Sequence, residues 1–363
     1  MQSQETNSFR LYLFAGIVLL SLLVAGIYVV RAAMRPQLAA PETILEDITG
    51  GDVGSASSPL ASPLPTTSVL TLDQLTHRPF LISLNVNQGP DIGKVQVAAL
   101  DAPDGDKVLT GLRCERVYFA GGRGICLRRE IDNLSARTLA TFFDDTFRAQ
   151  LPFRTDGIPS RARVSPDGRY AVLTAFVLGH SYADNNFSTA TILLDAQTGV
   201  SLGNLEEFTV YQDGVQIDYP DFNYWGVTFS QDGNTFYATL RYNLTPYLVR
   251  GNIQERTVSV LKEGVECPSL SPDETRVAFK KMIGAGYWQL TVMDLKSFVE
   301  TPLAETGSVD DQAEWLDNDH VLYGLANASP PPLDSVFVVP ADGSGEPTLF
   351  LEAATSPAVV QAP

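Results

Sequence analysis

The chain has 363 residues, of which 44% are hydrophobic and 18% are charged, a composition typical of a folded protein and unlike that of a disordered one. Lys and Arg total 25 against 42 Asp and Glu, so the net charge is -17. A protein that binds nucleic acid needs a cationic face to displace phosphate counterions, so this balance argues against a nucleic-acid partner. Where charge steers association, it favours a cationic protein or peptide partner.

The first predicted element is a transmembrane helix at residues 11–30, after a short tail at residues 1–10. The segment LYLFAGIVLLSLLVAGIYVV carries no charge, and twenty helical residues at about 1.5 Å each span a hydrocarbon core about 30 Å thick. A cleaved signal peptide is the alternative, but its apolar region is normally about 7–15 residues long. The short tail is typical of a signal anchor whose bulk is exported, although Arg31 and Arg35 against Arg10 favour the opposite orientation. We therefore predict a single-pass membrane protein with its folded domain on the extracytoplasmic side.

Residues 31–75 are rich in Pro, Ser, Thr, Ala and Gly, as in GDVGSASSPLASPLPTTS. They have no amphipathic period, which predicts a flexible linker. The folded domain is predicted at residues 76–351, and residues 352–363 are predicted to form a C-terminal tail.

The folded domain repeats an apolar strand, a tight turn and a second strand. The turn segments are VSPDG at 164–168, FSQDG at 229–233, LSPDE at 270–274, WLDND at 315–319 and, more loosely, FAGGR at 119–123. Pro fixes φ at the first corner, Asp bonds its local backbone, and Gly accepts a positive φ. From Ala120 to Ser165 is 45 residues, from Ser230 to Ser271 is 41 and from Ser271 to Leu316 is 45. This spacing matches the period of about 40–45 residues of four-stranded propeller blades.

The spacing predicts an all-β fold: a six-bladed β-propeller of four-stranded antiparallel blades, preceded by one transmembrane helix. The predicted blades are 76–113, 114–160, 161–225, 226–266, 267–311 and 312–351. The third blade is predicted to carry insertions at about 176–190 and 206–225. A strand from one terminus must close the ring, either 69–75 or 358–360.

These turns and this period resemble the TolB-like β-propeller repeats, a WD-type family with SPDG turns. The chain is also similar to the N-terminal propellers of prolyl-oligopeptidase-type peptidases. The resemblance covers residues 76–351, and its short motif is specific for the fold more than for the function. It implies an extracytoplasmic, non-enzymatic interaction domain. The chain differs from TolB in its predicted anchor and in showing no separate N-terminal α/β domain.

Two of the three cysteines, Cys114 and Cys126, flank the glycine-rich turn at 121–124. A tight hairpin centred near Gly122 would place Cys126 opposite Tyr118, so a disulfide requires a shifted register. An oxidising compartment favours the bond, and the question stays open. Cys267 is predicted to be a small buried apolar residue.

The sequence shows no catalytic constellation, and we predict no catalytic residue, no metal site and no cofactor. None of the three histidines has ligand spacing to a second His or to Cys. The alternative is a propeller enzyme of the lactonase or lyase kind. Such an enzyme needs carboxylate, Asn or His ligands for a metal in its central channel.

The candidate binding residues fall into two groups. One is an aromatic and acidic ribbon around the turn Asp213-Gly214, a pair that favours a tight hairpin. Its members are Tyr211, Asp213, Tyr219, Phe222, Tyr224 and Trp225. Aromatic rings beside carboxylates suit peptides and cationic groups, but the same rings also suit packing of the ribbon against the propeller.

The other group follows from strand alternation along the innermost strands. Arg163, Thr228, Ser269 and Glu314 share one face, with Arg161 near a strand start, and Val164, Phe229, Leu270 and Trp315 share the other. The first set is predicted to line the channel and the second to pack between blades. The predicted function is a scaffold that binds a protein or peptide through the ribbon and the channel mouth.

Overall fold

The computed structural model describes residues 71–132, 135–183, 186–327 and 333–361. The predicted tail 1–10, the transmembrane segment 11–30 and most of the linker 31–75 lie outside these residues. Within the described ranges, no helix has the length and apolar character needed to cross a bilayer.

The described residues form six sheets arranged in chain order, each with at least four strands, as in a six-bladed propeller. All strand pairs are antiparallel except one at the outer edge of the fourth blade. Blade one contains β1 (Phe80–Asn85), β2 (Lys94–Ala99), β3 (Val108–Arg113) and the last strand, β26 (Ala354–Val360). Blade two contains β4 (Arg116–Ala120), β5 (Arg123–Asp132), β6 (Ser135–Phe143) and β7 (Gln150–Asp156). Blade three contains β8 (Ile158–Val164), β9 (Tyr170–Leu178), β10 (Ser188–Asp195) and β11 (Ser201–Asn204), and a 3-10 helix (Leu205–Glu207) follows.

Blade four contains β12 (Thr209–Gln212), β13 (Val215–Ile217), β14 (Asn223–Phe229), β15 (Thr235–Tyr242), β16 (Thr245–Asn252) and β17 (Thr257–Glu263). Blade five contains β18 (Glu266–Leu270), β19 (Arg276–Gly284), β20 (Tyr287–Asp294) and β21 (Glu300–Pro302). Blade six contains β22 (Glu314–Trp315), β23 (His320–Ala326), β24 (Asp334–Pro340) and β25 (Thr348–Leu351).

The C-terminal strand closes the ring. Strand β26 pairs antiparallel with β1, with Phe80 opposite Val360, and so forms the innermost strand of blade one. Of the two segments considered from the sequence, the described part of the N-terminal one lies in the short helix α1 (Leu72–Thr76) instead. Thr71 and Gln74 cap this helix reciprocally, which favours a helix start over a strand. The predicted C-terminal tail, 352–363, therefore contains a structural strand.

The ribbon belongs to blade four and not to blade three, where the sequence pattern placed it. Its two strands, β12 and β13, pair across the predicted Asp213-Gly214 turn, and β12 runs parallel to β17 at the outer edge of blade four. Hydrophobic burial explains this choice, because Phe208 and Val210 join the same cluster as Phe236 and Val258. Covering the outer edge also removes unpaired strand groups from solvent.

The two faces of each innermost strand have different surroundings, as the alternation of residues along the strand predicts. Val164, Phe229 and Trp315 are buried in clusters that lie between blades, and Leu270 packs against another such cluster. The opposite face of the same strands points into the channel.

A disulfide joins Cys114 and Cys126, whose Cα atoms are 5.4 Å apart. The hairpin register differs by one residue from the predicted one, since Cys126 lies opposite Val117 and Tyr118 opposite Ile125. The bond forms because Cys114 lies in the link between β3 and β4, ahead of the paired strand. Cys267 is fully buried.

The repeated turns satisfy their own polar groups. Asp232 accepts hydrogen bonds from the backbone N–H groups of Asn234 (2.8 Å) and Thr235 (2.7 Å). In the same way Asp273 accepts from the Ser271 hydroxyl (2.6 Å). Burial opposes ionisation of Asp232, but these hydrogen bonds lower its pKa below the usual 3.8.

Candidate functional site: the channel and its upper mouth

The channel has two distinct ends. The innermost strands start at what we call the upper face, and they finish at the repeated turns, which form the turn face. Strand β8, for example, runs from Ile158 at the upper face to Val164 beside the turn at 165–168. The candidate channel residues Arg161 and Arg163 lie two positions apart on this strand, so both side chains enter the channel.

Arg163 and Glu314 form an ion pair inside the channel, and each residue is only 5% exposed. Arg163 also donates to the Ser269 hydroxyl at 3.2 Å and lies 4.4 Å from the ring centroid of Tyr118. The Tyr118 hydroxyl donates to Glu314 at 3.1 Å, and the backbone N–H of Val359 donates to the same carboxylate at 3.2 Å. Residues of five blades therefore meet at one carboxylate and its arginine.

This ion pair is a structural junction. Burial alone would lower the pKa of Arg163, but Tyr118 and Glu314 raise it above its ordinary value. Burial raises the pKa of Tyr118. The arginine is therefore charged and the tyrosine neutral, and the hydrogen-bonding groups of both are already engaged.

A second group of charges lies nearer the upper face. Arg161 donates to the backbone carbonyls of Ser160 (3.1 Å) and Asp310 (3.2 Å), and it lies 3.6 Å from the Asp310 carboxylate. Lys280, which is 1% exposed, pairs with the same carboxylate. The carboxylate of Asp310 thus forms ion pairs with two buried cations.

Tyr182 reaches this group from the insertion between β9 and β10. Its hydroxyl hydrogen-bonds to the Ser160 hydroxyl at 2.6 Å. The guanidinium of Arg161 lies 5.1 Å from the centroid of its ring, and the ammonium of Lys280 lies 4.5 Å from it. The aromatic insertion therefore covers part of the upper mouth, where its ring faces two cations.

Arg116 adds a third cation at the mouth. Its guanidinium donates to the backbone carbonyls of Ser160 (2.6 Å) and Glu115 (2.7 Å), and no carboxylate of the described residues lies within 4.0 Å of it. Burial, and then the neighbouring Arg161, lower the pKa of Arg116. Its positive charge is therefore less well compensated than those of Arg161 and Lys280.

Two cavities open beside Arg116. One has a volume of about 620 Å³ and is lined by Arg116, Arg161, Tyr182 and Asp310 among others. The other, of about 180 Å³, shares Arg116 and Asp310 with it. An arginine without a carboxylate partner beside open space is suited to bind an anionic group of a ligand.

The sequence singled out Arg161, Arg163 and Glu314, and the structure places all three in the channel wall. It does not place them in one site, because Arg161 pairs with Asp310 and Arg163 pairs with Glu314. Sequence reasoning missed Arg116, Tyr182, Lys280 and Asp310. Only Tyr182 lies in a segment that the sequence singled out, the predicted insertion at about 176–190.

The ribbon residues divide by exposure. Tyr224 and Trp225 are 0% and 1% exposed in strand β14, so the prediction that they belong to an exposed ribbon surface needs correction; Trp225 instead lines a cavity between blades four and five. Tyr219 stacks on Tyr242 with centroids 5.0 Å apart, and Phe222 contacts the same ring edge-on at 5.7 Å. These rings pack the end of the ribbon against blade four.

Tyr211 and Asp213 remain nearer the surface. Tyr211 is half-buried in β12, and Asp213 is exposed at the hairpin tip with a φ of 51°. The structure does not bring either residue to the channel mouth.

Within the ranges that the structure describes, no group of three or more His, Cys, Asp and Glu residues is arranged to hold a metal ion.

Comparison with solved structures identifies the fold. TolB from Acinetobacter baumannii matches with a TM-score of 0.54 and 15% identity over 81% of this chain and 68% of that one. A chain of the nidogen/laminin complex matches with a TM-score of 0.50 and 10% identity, over 78% of this chain and 98% of that one. The periplasmic gluconolactonase of Pseudomonas aeruginosa gives a TM-score of 0.45 at 14% identity, over 78% of this chain and 99% of that one. The chain thus has a TolB-like six-bladed propeller fold, and at these identities the similarity concerns the fold alone.

No protein-family model matches the sequence, and no curated protein is detectably similar to it.

Proposed function

We propose that this chain is a membrane-anchored, extracytoplasmic scaffold whose propeller binds a protein or peptide partner at the upper face without catalysing a reaction. The anchor is the apolar segment 11–30, and the linker 31–75 lets the propeller search for its partner away from the bilayer. A TolB-like fold is consistent with this role.

The observation that carries the proposal is the guanidinium of Arg116, which lies beside the cavity of about 620 Å³ and forms no ion pair with a carboxylate of the described residues. An acidic side chain of the partner would enter this cavity and accept hydrogen bonds from the guanidinium. The aromatic rings of Tyr182 and Phe176, which line the same cavity, would contact the apolar part of that side chain.

The disulfide between Cys114 and Cys126 supports the extracytoplasmic placement. Structural disulfides persist in oxidising compartments and are rare where thiols are kept reduced. Both sulfur atoms belong to buried residues, so the bond is part of the fold.

The net charge of -17 still favours a partner whose surface is cationic overall. The acidic side chain would then be a single anchor within that surface. Tyr211 and Asp213 of the ribbon are the second contact that we propose for it.

The test is crosslinking and affinity capture of the full-length protein from its own membranes, with Arg116→Gln as the variant. We expect the captured partner to fall about tenfold, because a charge-assisted hydrogen bond is lost. Arg123→Gln is the matched control, since Arg123 is in the same blade but donates to Gln197 at the turn face.

Undiminished capture by a folded Arg116→Gln protein would overturn the mouth as the binding site. Failure to capture any partner, together with a divalent metal retained by the purified protein, would favour the lactonase or lyase alternative.

A further inference from the structure

A third cavity on the upper face lies between blades four and five. We call it the interblade groove, and its volume is about 530 Å³. Leu244 and Pro246 of the β15–β16 hairpin line one part of it, and Met282 of strand β19 lines another. Leu244 is 75% exposed and Met282 is 46% exposed. Large aliphatic side chains held in water at the edges of a cavity mark a surface for apolar contact.

Arg241 lines the same groove and has no carboxylate of the described residues within ion-pair distance. It donates one hydrogen bond, to the backbone carbonyl of Phe187 at 2.9 Å, and lies 4.0 Å from the centroid of the Phe187 ring. Burial lowers its pKa, and the more distant carboxylates of Glu266 and Asp221 oppose that shift. The remaining donors of a guanidinium, which has five N–H groups, are open to a ligand.

Trp225 supplies a second donor without an acceptor. Its side chain lines the groove, is 1% exposed, and its indole N–H has no hydrogen-bond partner in the described residues. Arg241 lies 5.9 Å from its ring. A buried indole N–H that lacks an acceptor, beside a half-buried guanidinium, favours an oxygen ligand at this wall of the groove.

The one carboxylate that lines the groove, Glu266, is already engaged. It accepts the indole N–H of Trp288 at 2.9 Å, and its charge interacts favourably with Lys280 and also with Arg241, with which it forms no ion pair within 4.0 Å. The groove therefore retains a basic site at Arg241 within apolar walls.

We propose that the interblade groove binds an extended segment of a partner protein, in which an aliphatic side chain packs between Leu244 and Met282 and an adjacent acidic residue pairs with Arg241. The inference deepens the proposed function, and it rests on that function for the nature of the partner. Tyr182 lines both this groove and the mouth cavity, so the two sites adjoin. Exposed aliphatic walls beside a cation favour a peptide over an isolated small anion.

The experiment uses the methionine methyl groups of the full-length protein as probes. The chain has four methionines, and two of them lie in the described residues: Met282 at the groove and Met293, which is fully buried. The [methyl-¹³C]methionine-labelled protein is titrated with the blocked peptide Ac-SLDLS-NH₂ and, separately, with its neutral counterpart Ac-SLNLS-NH₂. We expect the acidic peptide to shift the Met282 resonance and leave Met293 unchanged, and the neutral peptide to bind at least about fivefold more weakly.

Arg241→Gln is expected to abolish the difference between the two peptides. Arg250→Gln, in the neighbouring strand of the same blade and away from the groove, is expected to preserve it. An unshifted Met282 at peptide concentrations up to about 10 mM, or equal binding of the two peptides, would overturn the proposal. The comparison of peptides on the unaltered protein does not depend on whether either variant folds.

Failure of this inference is distinguishable from failure of the proposed function. If Arg116→Gln loses its captured partner while neither peptide shifts the Met282 resonance, the mouth binds the partner and the groove does not. If Met282 responds to the acidic peptide but capture is unaffected by Arg116→Gln, the groove is the binding site and the mouth is not.

Discussion

The turn face and the channel satisfy their charged groups over very different distances along the chain. At the turn face, Asp232 bonds to residues two and three positions later. In the channel, Arg163 pairs with a residue 151 positions away and Tyr118 with one 196 positions away. The first kind of contact forms within a blade and repeats with the blade period. The second kind forms once, when the ring closes, so it joins blades and differs at every position.

The largest expected effect tests the long-range side of this comparison. Replacing Glu314 by Gln leaves Arg163 charged and buried without its carboxylate, which should lower the free energy of unfolding by about 3–5 kcal/mol. Urea denaturation measures the change. The double variant Arg163→Met/Glu314→Met removes both charges and should lose less than Glu314→Gln alone. A loss below about 1 kcal/mol in the single variant would show that the pair is not a junction of the ring.

The disulfide is intermediate in sequence separation, because its cysteines are 12 residues apart and link blade two to the segment that precedes it. Cys114→Ser/Cys126→Ser should lower the free energy of unfolding by about 3 kcal/mol through the lost loop constraint. Thermal unfolding with and without reductant provides the control. The reduced wild type should approach the variant, and identical stability of the oxidised protein and the variant would contradict the prediction.

A single turn should matter less, since its contacts are local and partly solvated. Asp232→Ala removes one acceptor from two backbone N–H groups and should cost about 1 kcal/mol in urea denaturation. Asp232→Asn keeps an acceptor oxygen and serves as the matched control. A cost for Asp232→Ala as large as that of Glu314→Gln would erase the distinction between the turn face and the channel.

The smallest expected effect is on the pH dependence of stability, which should differ between the channel and the turn face. Burial raises the pKa of Glu266 above its usual 4.5, although Lys280 opposes the shift. The folded protein therefore holds this proton more tightly than the unfolded chain, and the stability that it contributes is lost as pH rises from 4.5 through the folded pKa. Glu266→Gln cannot titrate, so its stability should fall less over this range.

The turn aspartates give the opposite sign. The pKa of Asp273 is lowered below 3.8, where hydrogen bonds from Ser271 and Thr275 outweigh its burial. Its contribution is present above 3.8 and is lost as the pH falls through the lower folded pKa. Denaturation midpoints measured from pH 3 to pH 8 distinguish the two. If Glu266→Gln lost as much stability as the wild type when the pH rises above 4.5, Glu266 would not be the cause of that loss.

Several features that the sequence placed in one site belong to different parts of the molecule. Arg161 and Arg163 are two residues apart, yet one faces Asp310 and the other Glu314. Tyr224 and Trp225 looked like part of an exposed ribbon because they follow Phe222 directly, but they begin the innermost strand of blade four and are buried there. Short-range composition does not tell where a loop ends and a core strand begins when both are aromatic.

The blade period, the turn chemistry and the separation of strand faces were determined by the sequence itself, because each depends on contacts between residues a few positions apart. Which strand closed the ring, where the ribbon attached and which carboxylate met which arginine were decided only by the tertiary structure. Those outcomes depend on pairs such as Phe80 with Val360 and Tyr118 with Glu314, whose partners are distant along the chain and whose distances are set by the closed ring. The vacant donors of Arg116 and Arg241 belong to this second class, since an arginine is recognised as unpaired only after every neighbouring carboxylate has found its own partner.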